Sequence, residues 1–78
     1  GVYDSFFFNG KNGIEIVKWF LSRGDKADHY SDHILWADPD TGETKKIRLG
    51  DRVIIVDDTV IVVKDEIFKI VFETAKGE

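Results

Sequence analysis

Two aliphatic runs, Val53 to Val56 and Val60 to Val63, are separated only by Asp57, Asp58 and Thr59. β-Branched residues at successive positions favour extended backbone, and the short polar break between the runs marks a β-hairpin. A half-buried strand alternates apolar with polar side chains, but these runs are apolar at every position. Val53 and Ile55 face one way and Ile54 and Val56 the other; Val60 and Val62 part from Ile61 and Val63 in the same manner. Each aliphatic side chain removed from water contributes roughly 1.5–3 kcal/mol. Four of them therefore weigh about as much as a small domain's whole stability, about 5–15 kcal/mol. Both faces need a cover. The sheet can curl until the first strand and a C-terminal strand close over the second face. Alternatively, two copies can meet there, or a different protein can bind.

The rest of the chain supplies the other elements. Val2 to Asn9 reads as a first strand, with Phe6 and Phe8 directed into the core, and "NGKNG" turns the chain. Asn12 followed by Glu15 has capping-box spacing, and a helix is expected from about Gly13 to Ser22, stopping at Gly24. Its apolar stripe is Ile16, Val17, Phe20 and Leu21, with Trp19 at the edge. "GDKADHYSD" reads as an exposed loop or a single helical turn. "HILWAD", the turn "DPDTGE" and "TKKIRL" form a hairpin, "LGD" breaks the chain, and the aliphatic hairpin follows. "KDEIFKIVFE" holds one helical turn at Asp65 to Lys69 and a last strand from Ile70 to Glu73. The expectation is one α+β domain over residues 1–78: a mostly antiparallel, curled sheet of five to six strands against one N-terminal helix, in the order β-α-β-β-β-β-β.

Taken together, "FFFNG", "LGDRVII" and "IFKIVFE" resemble a family of small phage and prophage proteins. That family's pattern has a Phe-x-Trp-x-Gly strand end, then Pro-Gly-Asp-aromatic-Ile-Ile, then Ile-Phe-Glu-x-x-Tyr-Glu. Gly10, Gly50, Asp51, Ile67, Phe68 and Glu73 match it directly, and Phe6 stands at its first aromatic. Phe8 stands for its Trp and Phe72 for its Tyr, whereas Leu49 replaces its Pro and Arg52 the aromatic after Gly-Asp. The glycine of the family's last hairpin is absent here. The resemblance implies a phage accessory protein and brings no catalytic residues with it.

Composition narrows the function classes. The chain has no cysteine, which removes disulfides, thiolate metal sites and cysteine catalysis. No apolar run approaches the ~20 residues of a membrane span, and the N-terminus lacks a signal-peptide layout, so the cytoplasm is the expected location. Fifteen acidic against eleven basic residues leave a net charge of −4, the opposite of the basic excess that phosphate binding favours. Only Lys45, Lys46 and Arg48 cluster.

Candidate chemistry is sparse. His29 and His33 lie four apart with Asp25, Asp28 and Asp32 nearby, the raw material of a metal site, although polar loops collect such residues by chance. "DPDTGE" lacks the glycine and glutamate positions of a calcium loop. Ser31 sits between two histidines without a nucleophile elbow, "RGD" at Arg23 to Asp25 is explained by Gly24 ending a helix, and "GKNG" lacks phosphate-loop spacing. Asp57, Asp58, Asp65 and Glu66, with Asp38, Asp40 and Glu43, can form an acidic rim. Such a rim keeps sticky strands soluble, steers a basic partner or mimics DNA phosphates.

The leading expectation is a non-enzymatic phage-encoded accessory protein that binds a host or phage protein, or its own copy, with no cofactor. The expected contact surface is Trp36, Ile54, Val56, Ile61 and Val63, with Asp57 and Asp58. Two alternatives stand beside it. One is a nucleic-acid-binding module using Lys45, Lys46 and Arg48, with Trp36 and Tyr30 as stacking groups. The other is a metal-dependent enzyme at His29 and His33.

Overall fold

The computed structural model describes residues 5–73, with side chains as far as Val71. The Val2 to Asp4 part of the expected first strand, and the side chains of Phe72 and Glu73, lie outside the described residues. The element order is β1 (Ser5–Phe7), α1 (Gly13–Ser22), β2 (Lys26–His29), β3 (His33–Ala37), β4 (Thr44–Arg48), β5 (Asp51–Val56), β6 (Thr59–Lys64) and α2 (Asp65–Phe68), which continues into a π-helical stretch, Lys69–Glu73. The class is α+β. The strands form two antiparallel three-stranded sheets, ordered β1-β5-β6 and β2-β3-β4, in place of the single sheet expected. The division falls at Leu49 and Gly50. Gly50 takes a φ of +88°, and the chain leaves one sheet after Arg48 and enters the other at Asp51.

Helix α1 has the expected bounds, but its ends are made differently. Asn12 occupies the N-cap without capping through its side chain. Its Nδ2 donates to the Phe7 carbonyl at 2.7 Å and its Oδ1 accepts from Asn9 N–H at 3.1 Å, so it fastens the turn to β1. At the other end Gly24 N–H donates to Leu21 O at 2.9 Å and Asp25 N–H to Phe20 O at 3.1 Å, the paired bonds of a Schellman motif. Ile16, Val17 and Phe20 are buried, whereas Leu21, expected in the same stripe, is exposed. Trp19 takes its place at the core's edge.

The core is shared by both sheets. Val53 comes from the first sheet and Phe8 from just past β1, Ile34, Trp36 and Ile47 come from the second sheet, and Ile16, Val17 and Phe20 come from the helix. Four aromatic rings run through this junction. Phe6 lies 4.9 Å from Trp19, Trp19 lies 5.0 Å from Phe20, and Phe20 stacks on Trp36 at 5.2 Å with 19° between planes.

Two expectations about the chain's course fail. Lys26 to His29, expected as loop or helical turn, is a strand paired along β3, with Ala27 opposite Trp36. An edge strand needs little apolar sequence when its partner supplies the packing, and Ala27 alone meets the core. Ile70 to Glu73, expected as a strand, is π-helical. Asp65 and Glu66 occupy the first turn of α2, where carboxylates favour the helix dipole, and the chain continues helically instead of extending.

That helical turn answers the question of the second apolar face. It packs back against β5 and β6, and Arg52, on the outer face of β5, holds it there. Arg52 Nε donates to Asp65 Oδ1 at 2.7 Å and Nη1 donates to Ser5 Oγ at 3.2 Å. Its guanidinium lies 4.5 Å from the Phe68 ring centre and 5.7 Å from that of Phe7. Ile54, on this outer face, is 0% exposed, while Ile61 opposite it on β6 is 38% exposed. Ile54→Ala is therefore expected to cost about 2–5 kcal/mol and Ile61→Ala about 1 kcal/mol or less, measured by urea unfolding. Equal small losses would mean that the outer face is wet. The Arg52 guanidinium holds the Asp65 carboxyl below its ordinary value of 3.8. A depressed carboxyl stabilises the fold above its ordinary value, and that stabilisation is lost as pH falls through the folded-state value. Asp65→Asn should be less stable at pH 7 and lose less stability than the native chain on acidification below about pH 4, read from denaturation midpoints across pH.

Candidate functional site

The residues expected to form one contact surface are divided by the fold. Trp36 is 2% exposed and sits in the core, stacked on Phe20, with its Nε1–H donating to Asp25 Oδ2 at 3.1 Å. It belongs to β3, on the sheet that does not contain the aliphatic hairpin. Both Trp36 and Ile54 are thus withdrawn from any surface, one into the core and the other beneath the C-terminal helical turn. Val56 and Val63 are half-buried, and Ile61, Asp57 and Asp58 remain exposed. What the structure leaves open is a rim along β6 and its turn.

The turn is tight. Asp57 and Asp58 both have positive φ, +49° and +65°, the left-handed pair that a two-residue hairpin needs. Asp58 also receives Arg23 Nη1 at 3.3 Å, which ties the end of α1 to the hairpin tip.

Strand β6 is the edge of its sheet. Its hydrogen-bond phase follows from Asp65 N–H donating to Gly50 O at 3.0 Å. Bonded pairs alternate along an antiparallel ladder, so counting from Gly50 and Asp65 the bonded pairs are Arg52 with Val63, Ile54 with Ile61 and Val56 with Thr59. The backbone groups of Val60, Val62 and Lys64 therefore point away from β5. Among the described residues no strand receives them.

Along the C-terminal half of this edge runs an open groove of about 380 Å³, lined by Lys45, Lys46, Arg48, Asp51, Val62, Val63 and Lys64. It lies between β6 and β4, the edge strand of the other sheet. Lys45 is committed to Asp38, Nζ to Oδ2 at 3.1 Å. The Asp38 carboxyl is held low first by the Asp40 N–H it accepts and then by that lysine. Asp51 is buried and accepts Arg48 N–H at 2.9 Å. Lys46, Arg48 and Lys64 have no ion-pair partner among the described residues. The groove is a local basic patch on an acidic chain. The run Lys45, Lys46, Arg48 signalled it in sequence; Lys64 joins them only through the fold.

The histidines do not converge. His29 lies on β2 against Gly13, where a side chain in place of the glycine would bring its Cβ within 3.2 Å of His29 Cβ. His33 Nδ1 is 2.6 Å from Asp32 Oδ1 and its ring stacks on Tyr30 at 4.8 Å. The histidine contact lowers the Asp32 carboxyl. Among the described residues no group of three His, Asp or Glu side chains is placed to hold a metal ion. None of the described helices is long and apolar enough to cross a membrane. Further apolar side chains are exposed on the C-terminal helical segment, namely Ile67, Ile70 and Val71. Comparison with protein-family models, curated proteins and solved structures gave no match.

Proposed function

We propose that the chain is a non-enzymatic accessory protein of phage or prophage origin that works by binding a polypeptide strand along the open edge of β6. The motifs around Phe6, Gly50 and Phe68 support the origin, and a phage accessory protein would act in the host cytoplasm. The observation that carries the binding reading is the edge itself. Natural edge strands are blunted by lysine, proline or bulges; in β6 the one such residue, Lys64, stands at the strand's end and leaves Thr59 to Val63 unblunted. The outward backbone groups of Val60, Val62 and Lys64 match the demand of strand addition, in which main-chain bonds supply affinity and flanking side chains supply selectivity.

The nucleic-acid alternative has less support. Its cations line the groove, but Trp36 is buried, and Tyr30, exposed and stacked on His33, is not part of the groove's lining. The metal-dependent alternative rests on His29 and His33, which stand on different strands with different neighbours.

Val62→Pro removes a backbone N–H that points away from β5 and so leaves the β5–β6 ladder intact. A tagged chain incubated in bacterial lysate with untagged copies should retain a protein, its own copy included. The Val62→Pro chain should retain at least ten-fold less while keeping its circular dichroism spectrum. Ile61→Lys, an edge charge on an exposed position, should weaken retention in the same direction. Equal retention by all three chains would defeat the reading, as would salt-sensitive retention of oligonucleotides alone.

A further inference from the structure

The charges at the two ends of β6 select the strand that fits its edge. One end is the exposed turn, Asp57 and Asp58; the other is Lys64, beside Lys46 and Arg48 in the basic groove. An antiparallel neighbour meets each end with its own opposite end. A copy of β6 therefore brings acid to base at both ends, which a neutral foreign strand does not.

Only the outward residues can be bonded partners across such an edge, and this leaves three central registers. Pairing Val62 with Val62 sets Asp58 against Glu66 at both ends and Lys64 against Val60, so that no charge meets its opposite. Pairing Val60 with Val60 sets Val62 against Asp58, which belongs to the turn and cannot extend the ladder. The register centred on Ile61 bonds Val60 to Val62 twice and sets Asp58 beside Lys64 twice, and the Asp65 that comes opposite Asp57 is already neutralised by Arg52 and Lys69. It also places the two Ile61 side chains directly opposite each other as a non-hydrogen-bonded pair, the closer of the two antiparallel spacings. Ile61 is among the exposed large apolar side chains of the strand, and this contact would cover it.

We infer that two copies of this chain pair antiparallel through β6 about a two-fold axis at Ile61, with Lys64 of each copy against Asp58 of the other, joining the two β1-β5-β6 sheets into one of six strands. This inference rests on the β6 edge being the binding edge and names its occupant. An acidic segment of another protein could also use the groove's charge, and the experiment separates the two.

The chain has no cysteine, so a single introduced thiol reports the register. Under mild oxidation Ile61→Cys should cross-link to a dimer almost completely and Thr59→Cys only at the background of random collision. Sedimentation equilibrium on the unmodified chain should show the mass rising with concentration toward twice 8.9 kDa. Lys64→Asp and Asp58→Lys should each raise the dimer dissociation constant about ten-fold, since each reverses two exposed ion pairs; Asp58→Lys also loses the Arg23 contact within its own chain, so its circular dichroism spectrum must match the native one. The chain carrying both changes should return to within about three-fold of the native value. A monomer at every concentration, or Thr59→Cys cross-linking as well as Ile61→Cys, overturns the inference. If the chain is monomeric yet captures a different protein in a Val62→Pro-sensitive way, self-pairing falls and the edge reading stands. If it is monomeric and captures nothing, both fall.

Discussion

Everything in this molecule depends on the helix α1 holding two sheets at once. The rings of Phe6, Trp19, Phe20 and Trp36 run from β1 through the helix to β3, each within 5.2 Å of the next. Aromatic pairs at such spacing add to their burial about 0.5–1.5 kcal/mol each. Each three-stranded sheet has a hydrophobic face that must be packed against another element to be stable. The helix is ten residues long, too short to persist without packing. Each of the three elements is conditional on the other two, and Phe20 is the point where they meet.

The second constraint is the outer face of the β1-β5-β6 sheet. A charged residue there looks like an error of patterning, since Arg52 interrupts an otherwise aliphatic strand. Its role is to bridge. It joins Ser5 on one side and Asp65 on the other, with Phe7 and Phe68 against its planar head. Guanidinium is suited to this because it stacks on aromatic faces while its edge donates hydrogen bonds.

Much of this was legible in the residues. The α+β class, the helix from Gly13 to Ser22, the hairpin around Asp38 to Glu43 and the aliphatic hairpin all carry local signals: periodicity, turn chemistry and a C-terminal glycine. The demand that both aliphatic faces be covered was legible too, but not the cover. Ile70 to Glu73 has the composition of a strand, and only its continuity with a helical turn at Asp65 makes it helical. Strand β2 was invisible because an outer strand borrows its order from β3. Trp36 was misplaced for a related reason. Ile34 and Trp36 share one face of β3, and nothing local told that face from the other. The basic groove was half legible, since Lys64 is 16 residues beyond Arg48 and comes near it only after the β5–β6 hairpin forms.

Strand β1 pairs with β5 across a wide separation, Phe6 with Val53. A ribosome adding about 5–20 residues per second takes on the order of seconds to reach the segment that β1 needs. Over that interval Phe6, Phe7 and Phe8 have no sheet to join, and the helix behind them has only part of its core. The nascent chain thus presents a short, strongly apolar segment to the cell before it can fold.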